Sequence, residues 1–190
     1  GISSDSIISK SQPSFERIDV YSAQVDFEKY FNHHQFTLGA KYVYAGIDYI
    51  SKLYLGNTTL GGILSEEIDQ RDDFNYFEQR YAIYGMYRYT SRSWGVQMGL
   101  RNEYTEWNTQ QRVKTQLHNS RSDNNIFPSF FVKKNMGQGN ALSLSYTQSI
   151  NRPSYQMVNP FVFHLSETSY KEGNPYLKGE LLYNVALQFV

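Results

Sequence analysis

Carboxylates, imidazoles and hydroxyls are the side chains that do chemistry, and in this sequence their spacing keeps them apart. Glu103 and Glu106 in "GLRNEYTEW" are the nearest thing to a glycosidase pair, but on one extended strand they face opposite sides. His33 and His34 are adjacent in a short turn, where neighbouring side chains diverge and make a poor start for one metal site. His118 and His164 fall in long connections with no Cys or regularly spaced carboxylates beside them. "SEEIDQRDD" (Ser65 to Asp73) is acidic without the alternating oxygens and Gly of a calcium loop, so it reads as a solvated outer loop. "GNTTLGG" (Gly56 to Gly62) has no Lys in the phosphate-binding position and reads as a loop tip. The sequence therefore predicts no catalytic residue, no metal ligand and no cofactor. Cys is absent, which excludes thiol and disulfide chemistry; 18 basic residues balance 18 acidic ones, so no net charge draws the chain to nucleic acid.

The elements that must position these residues are strands. At 190 residues the chain suits one domain, and aromatics make up 16%, a bias that favours strands and, for Tyr, the border between water and an apolar phase. No apolar run reaches the ~18 residues of a transmembrane helix. Seven segments instead alternate with period two: 18–31, 36–44, 77–90, 94–107, 126–134, 141–150 and 181–190. In the first, Tyr21, Ala23, Val25, Phe27 and Phe31 oppose Ser22, Gln24, Asp26 and Glu28. In the fourth, Trp94, Val96, Met98, Leu100 and Tyr104 oppose Gln97, Arg101, Glu103 and Thr105.

The connections alternate too. Short turns are expected near 32–35, 91–93 and 135–139, and long loops over 45–76, 108–125 and 151–180, after a flexible amino-terminal segment at 1–17. Every long loop then lies at one end of an antiparallel up-and-down meander, the pattern of outer-membrane barrels, whose short turns are periplasmic and whose long loops are extracellular. From Trp94 to Tyr104 a strand rises about 34 Å, which projects to about 26 Å at a tilt of roughly 40° and matches the ~25 Å apolar band of such barrels. Tyr21, Phe31, Trp94 and Tyr104 are the expected interface aromatics. Two residues break the apolar face: Lys29, close enough to a turn to extend its amine to the interface, and Asn102, just inside Tyr104.

Four stretches carry a family resemblance: "GLRNEYTEW", "FPSFFV", "LSLSYTQSINRPSYQMVNPF" and "EGNPYLKGELLYNVALQF". In order and spacing they resemble the outer membrane protein β-barrel family of TonB-dependent receptors, over roughly Val20 to Val190. Gly179 stands where the family often has Pro. The resemblance implies a longer barrel, commonly of about 22 strands, closed around a plug, so that 18–190 reads as a partial barrel. It also implies the bacterial outer membrane, nutrient uptake, and as partners the membrane lipid, the remaining strands and plug, a TonB-type energy-coupling protein, and an unidentified small-molecule or glycan solute. Asn151, Arg152, Pro153, Asn159, Pro160, Gly173, Asn174 and Pro175 form its motif loop.

The strand faces predict that Arg80, Arg88, Arg101 and Glu103 point into the lumen as a structural polar network. Arg152 is expected to bond loop carbonyls around the Asn-Pro turns. A soluble all-β module presenting Tyr and Trp to a glycan is the alternative, and it requires a second sheet over the Val25 and Met98 faces; a β-rich hydrolase is a third, weaker option.

Overall fold

The computed structural model describes residues 7–11, 15–57, 67–111, 118–159, 163–166 and 169–190. Its strands are β1 (Ile7–Ser11), β2 (Phe15–Phe31), β3 (His34–Asn57), β4 (Glu67–Thr90), β5 (Trp94–Gln111), β6 (His118–Gly137), β7 (Asn140–Asn151), β8 (Phe163–Ser166), β9 (Ser169–Lys171) and β10 (Glu180–Phe189), with one helical turn, α1 (Tyr155–Val158). An all-β, antiparallel meander runs β2-β3-β4-β5-β6-β7-β10, each strand beside the next, and the sheet is not closed. β1 pairs with the far end of β3 on the edge that β2 also uses, the register stepping by one residue between Ser11↔Leu53 and Phe15↔Ile50.

The turns are tight where the sequence is short. Asn32 adopts φ 50°, which Asn tolerates, and Gly137 and Gly139 take φ of 85° and 86°, where an L side chain is strained. These turns also bond sideways: Thr90 N donates to His33 O (2.9 Å), and Asn135 N donates to Ser93 O (2.8 Å).

Strands run further than alternation alone suggests. Most of the long loop expected over 45–76 is ladder, since β3 continues to Asn57 and β4 begins at Glu67; β5 and β6 likewise shorten the loop expected over 108–125. The reason is that neighbouring backbones satisfy one another whatever the side chains, so Asp48↔Asn75 and Thr105↔Asp123 pair as well as apolar residues do. The amino-terminal segment is not uniformly free of structure either, because Ile7–Ser11 and Phe15–Arg17 are strand. The tips at 58–66 and the side chains of the acidic run up to Asp72, with those of Gly56 and Asn57, lie outside the described residues.

The two faces differ. On one, Val25, Phe27, Leu38, Ile83, Met98 and Leu100 are exposed, Val25 by 75%, and no second sheet covers them among the described residues. An exposed apolar surface of this extent is a membrane or partner surface, and it is not the packing the soluble alternative requires. On the other face Thr105 and Phe74 are sealed, and Ile47, Phe74, Tyr76, Trp107 and Val158 form the core. Val158 belongs to α1, so the segment after β7 lies over this inner face.

That segment enters where a seam opens. β6 pairs with β7 only from Ser129 to Gly137, although it pairs with β5 up to His118. Pro128 stands at the split, and with no N–H it can add no donor to a continued β7 ladder.

Candidate functional site

The inner face is organised by one carboxylate. Glu103, 4% exposed, sits between Ala82 of β4 and Asn125 of β6. Arg101 reaches its Oε2 from two residues away on the same side of β5, with Nε at 3.0 Å and Nη2 at 2.7 Å. Oε1 takes Arg152 Nη2 in a short contact and lies 3.4 Å from Arg80 Nε. Arg152 Nη2 also donates to Thr105 Oγ1 at 3.2 Å. Beyond them Arg80 pairs with Glu78, whose second oxygen accepts from the Tyr76 hydroxyl at 2.8 Å. Three guanidiniums therefore surround two carboxylates in a sheltered, charge-assisted network with a surplus of one positive charge.

Of the four residues expected in the network, Arg80, Arg101 and Glu103 meet. Arg88 lies nearer the short turns and donates to Gln97 instead, at 3.1 and 3.3 Å. Among the described residues Arg152 bonds Glu103 and Thr105 and not the expected loop carbonyls, because an ion pair is stronger than a bond to a neutral acceptor. Sequence reasoning missed Tyr76, Glu78 and Thr105 as members, although Glu78, Arg80 and Thr105 share the inward parity that marked Glu103.

The motif loop is a strap across the inner face. Asn151 ends β7 opposite Glu180, and Arg152 then turns into the network. The Tyr155 hydroxyl bonds Glu16 of β2, while Val158 packs with Ile47, Phe74, Tyr76 and Trp107 of β3, β4 and β5. The return limb locks onto the outgoing one. Gly173 N donates to Asn159 O (2.9 Å) and Asn174 N to Met157 O (2.7 Å). A Cβ on Gly173 would fall 2.4 Å from Asn159 O and 2.7 Å from Met157 O, so this position takes only Gly. Pro175 O accepts from Asn119 Nδ2 (3.4 Å) and Leu177 O from Arg121 Nη1 (3.1 Å), which ties the limb to β6. Pro153 is half-buried beside Arg152. Pro160 and the side chain of His164 lie outside the described residues. His118 is exposed; at the turn end His33 meets Tyr89 edge-on and His34 stacks on Tyr87.

The outer face carries two aromatic rows. Tyr42, Tyr81 and Tyr104 adjoin at 5.1 and 6.5 Å near the long-loop end, with Tyr21 stacked on Tyr44 one rung above. Phe36, Tyr87, His34 and Tyr89 adjoin near the turns, with Phe31 and Trp94 beside them and Lys134 Nζ 5.2 Å from the Trp94 ring centroid. Between the rows the face of β2 to β5 is apolar except for Asn102.

The apolar band between aromatic girdles, the polar inner face and the one-sided loop arrangement agree with what sequence comparison finds. Residues 2–190 match the outer membrane protein beta-barrel family. The chain belongs to that family. It is a segment of a bacterial outer-membrane barrel, and its apolar outer face is the lipid face. No curated protein matches the chain. Among solved structures, it is similar to the ferric citrate transporter FecA in its unliganded form, at 18% identity and a TM-score of 0.55 over 76% of this chain. That match spans 22% of FecA, so the likeness is one of fold over part of a larger barrel.

Proposed function

We propose that this outer-membrane segment is part of the wall of a TonB-dependent receptor that takes up a nutrient, with the strap narrowing the passage that the wall encloses. The observation that carries the reading is Arg152 on Glu103: it holds a connection that begins at the long-loop end down against the inner face, where a solute must pass. The network of Arg80, Arg101, Arg152, Glu78 and Glu103 is then lumenal, and its role is structural, to hold the strap. The barrel's remaining strands would complete the wall, a plug would fill the lumen, and a TonB-type protein would supply energy through that plug. The solute, a small molecule or glycan, would be captured by the outer loops. Among the described residues no cluster of three His, Cys, Asp or Glu forms a candidate metal site, and the two carboxylates of the network, Glu78 and Glu103, are engaged by arginines.

The test is growth of cells with and without the full-length protein on a panel of scarce nutrients, each repeated with a TonB-type partner deleted. The reading expects at least one nutrient whose uptake needs both. Uptake that needs the barrel but persists without the energy-coupling partner would mark a passive pore and sink the energised reading.

A further inference from the structure

The lipid face is not smooth. Three adjoining depressions form one furrow that runs from Tyr81 and Tyr104 to Phe36 and Tyr87. Its largest part is an open depression of about 570 Å³. The floor is made by small residues, Ala23 and Ala40 towards the long-loop end and Gly85 beyond them, and the walls by Val25, Leu38, Ile83 and Leu100. The registers Ala40↔Ile83 and Leu38↔Gly85 place a small residue beside a large one on successive rungs, and that alternation cuts the furrow.

At the long-loop end stands the residue that the apolar pattern cannot absorb. Asn102 lines the furrow one rung inside Tyr104, and its Nδ2 donates to Asn124 Oδ1 at 2.9 Å. An amide on the lipid face is costly unless its hydrogen bonds are met. The pair meets one of them and leaves an N–H of Asn102 and both of Asn124 for another acceptor. From the Tyr104 row to the Met98 row is six residues, about 20 Å of strand and about 15 Å of depth at a tilt of roughly 40°. That is half of the ~30 Å hydrocarbon thickness, the depth of one leaflet.

We infer that the furrow seats one acyl chain of a lipid from the leaflet at the long-loop end, with the Asn102–Asn124 amides donating to the ester or amide carbonyl at the head of that chain. Lipid already covers this face, so the furrow fixes one molecule of it. Small residues on the floor admit the chain, and the amides select a lipid that carries a carbonyl at that depth.

Native mass spectrometry of the full-length protein, extracted in mild detergent, tests the seat. Wild type should retain one acyl lipid, and Asn102→Leu should lower its occupancy by about 2- to 10-fold, the worth of one neutral hydrogen bond. Gly85→Leu, which fills the floor, should lower it as well, with folding checked by heat-modifiable gel mobility. Wild type without retained lipid, or equal retention in all three proteins, overturns the seat; so does a dimer that buries the furrow without lipid. A second measurement needs no variant: a lipid carrying a mid-chain diazirine, in proteoliposomes, should label Leu38, Ile83 and Gly85 in preference to Val132, Leu144 and Leu187. Even labelling over the face overturns the proposal.

Discussion

Arg152 and Glu103, separated by 49 positions in sequence, meet as an ion pair across β6, which lies between β5 and β7. The pair converts a connection between β7 and β10 into a strap, because it fixes the first residue after β7 over the inner face. Everything that follows, from the Tyr155–Glu16 bond to the burial of Val158, depends on that first turn inward.

Removing Glu103 should therefore cost more than removing any one of its partners. Its side chain is 5% exposed, against 15% for Arg152, 28% for Arg80 and 31% for Arg101. Glu103→Ala leaves three guanidiniums with only Glu78, on Arg80, to offset them and is expected to destabilise by about 3 kcal/mol, the low end for a broken buried pair because the arginines are partly solvated. Arg152→Ala should follow, and Arg101→Ala should cost least. Urea unfolding of the full-length protein in vesicles, monitored by gel mobility, gives the order; an Arg101 variant weaker than the Glu103 variant contradicts it.

Val158 tests the strap without touching a charge. It is 3% exposed and packs on Trp107 and Phe74. Val158→Asp puts a carboxylate into that cluster and should release the strap while the ladders hold the barrel. The expected readouts are new protease cleavage within 152–179 and a larger conductance in planar bilayers. Unchanged conductance with cleavage present would separate a mobile strap from one that narrows the passage.

The parts of this arrangement that were legible in the sequence are those set by local repetition. Alternation marked which side of each strand Val25, Met98, Arg101 and Glu103 occupy, because parity along a strand needs no tertiary information. The short gaps between alternating segments, at 32–35 and 135–139, marked the turns in which Asn32, Gly137 and Gly139 take positive φ. The upper halves of β3, β4 and β6 were illegible, since residues such as Asp48, Asp73 and Asp123 interrupt the apolar period there and the core residues Ile47, Phe74 and Tyr76 are too few to restore it. The strap was illegible for another reason. "NRPSYQMVNPF" shows prolines and aromatics, but whether Val158 turns out to lipid, up to water or in to Trp107 depends on residues in strands up to 111 positions earlier. Arg152 shows the same limit, its partner being chosen by the open seam at Pro128 and not by its neighbours in the chain.

Gly173 should tolerate no side chain. An added Cβ meets three backbone carbonyls, those of Gln156, Met157 and Asn159, at 2.4 to 2.9 Å, and backbone cannot swing aside as a flexible side chain can. Gly173→Ala is expected to cost about 1–3 kcal/mol by overpacking and to separate the two limbs of the strap. Gly95, whose Cβ would approach nothing closer than 3.9 Å, provides the control. Comparable losses at both sites would show that the limbs do not pack as described.

Alkaline pH should loosen the strap through Tyr155. Burial, and next its hydrogen bond to the Glu16 carboxylate, push the Tyr155 hydroxyl above the ordinary tyrosine value, because the ionised phenolate would be desolvated and would repel the carboxylate. The folded value thus exceeds the unfolded one of about 10. The contribution is fully present below about pH 10 and is lost as pH rises through the folded value, since the unfolded chain then releases the proton more readily. Trp107, 8% exposed beneath Val158, reports the change: its emission should shift to the red when the strap lifts. Tyr155→Phe removes both the hydrogen bond and the titrating proton. That variant should show weaker strap attachment at neutral pH and a smaller emission shift above pH 10; an identical alkaline shift in both proteins would assign the transition to other tyrosines.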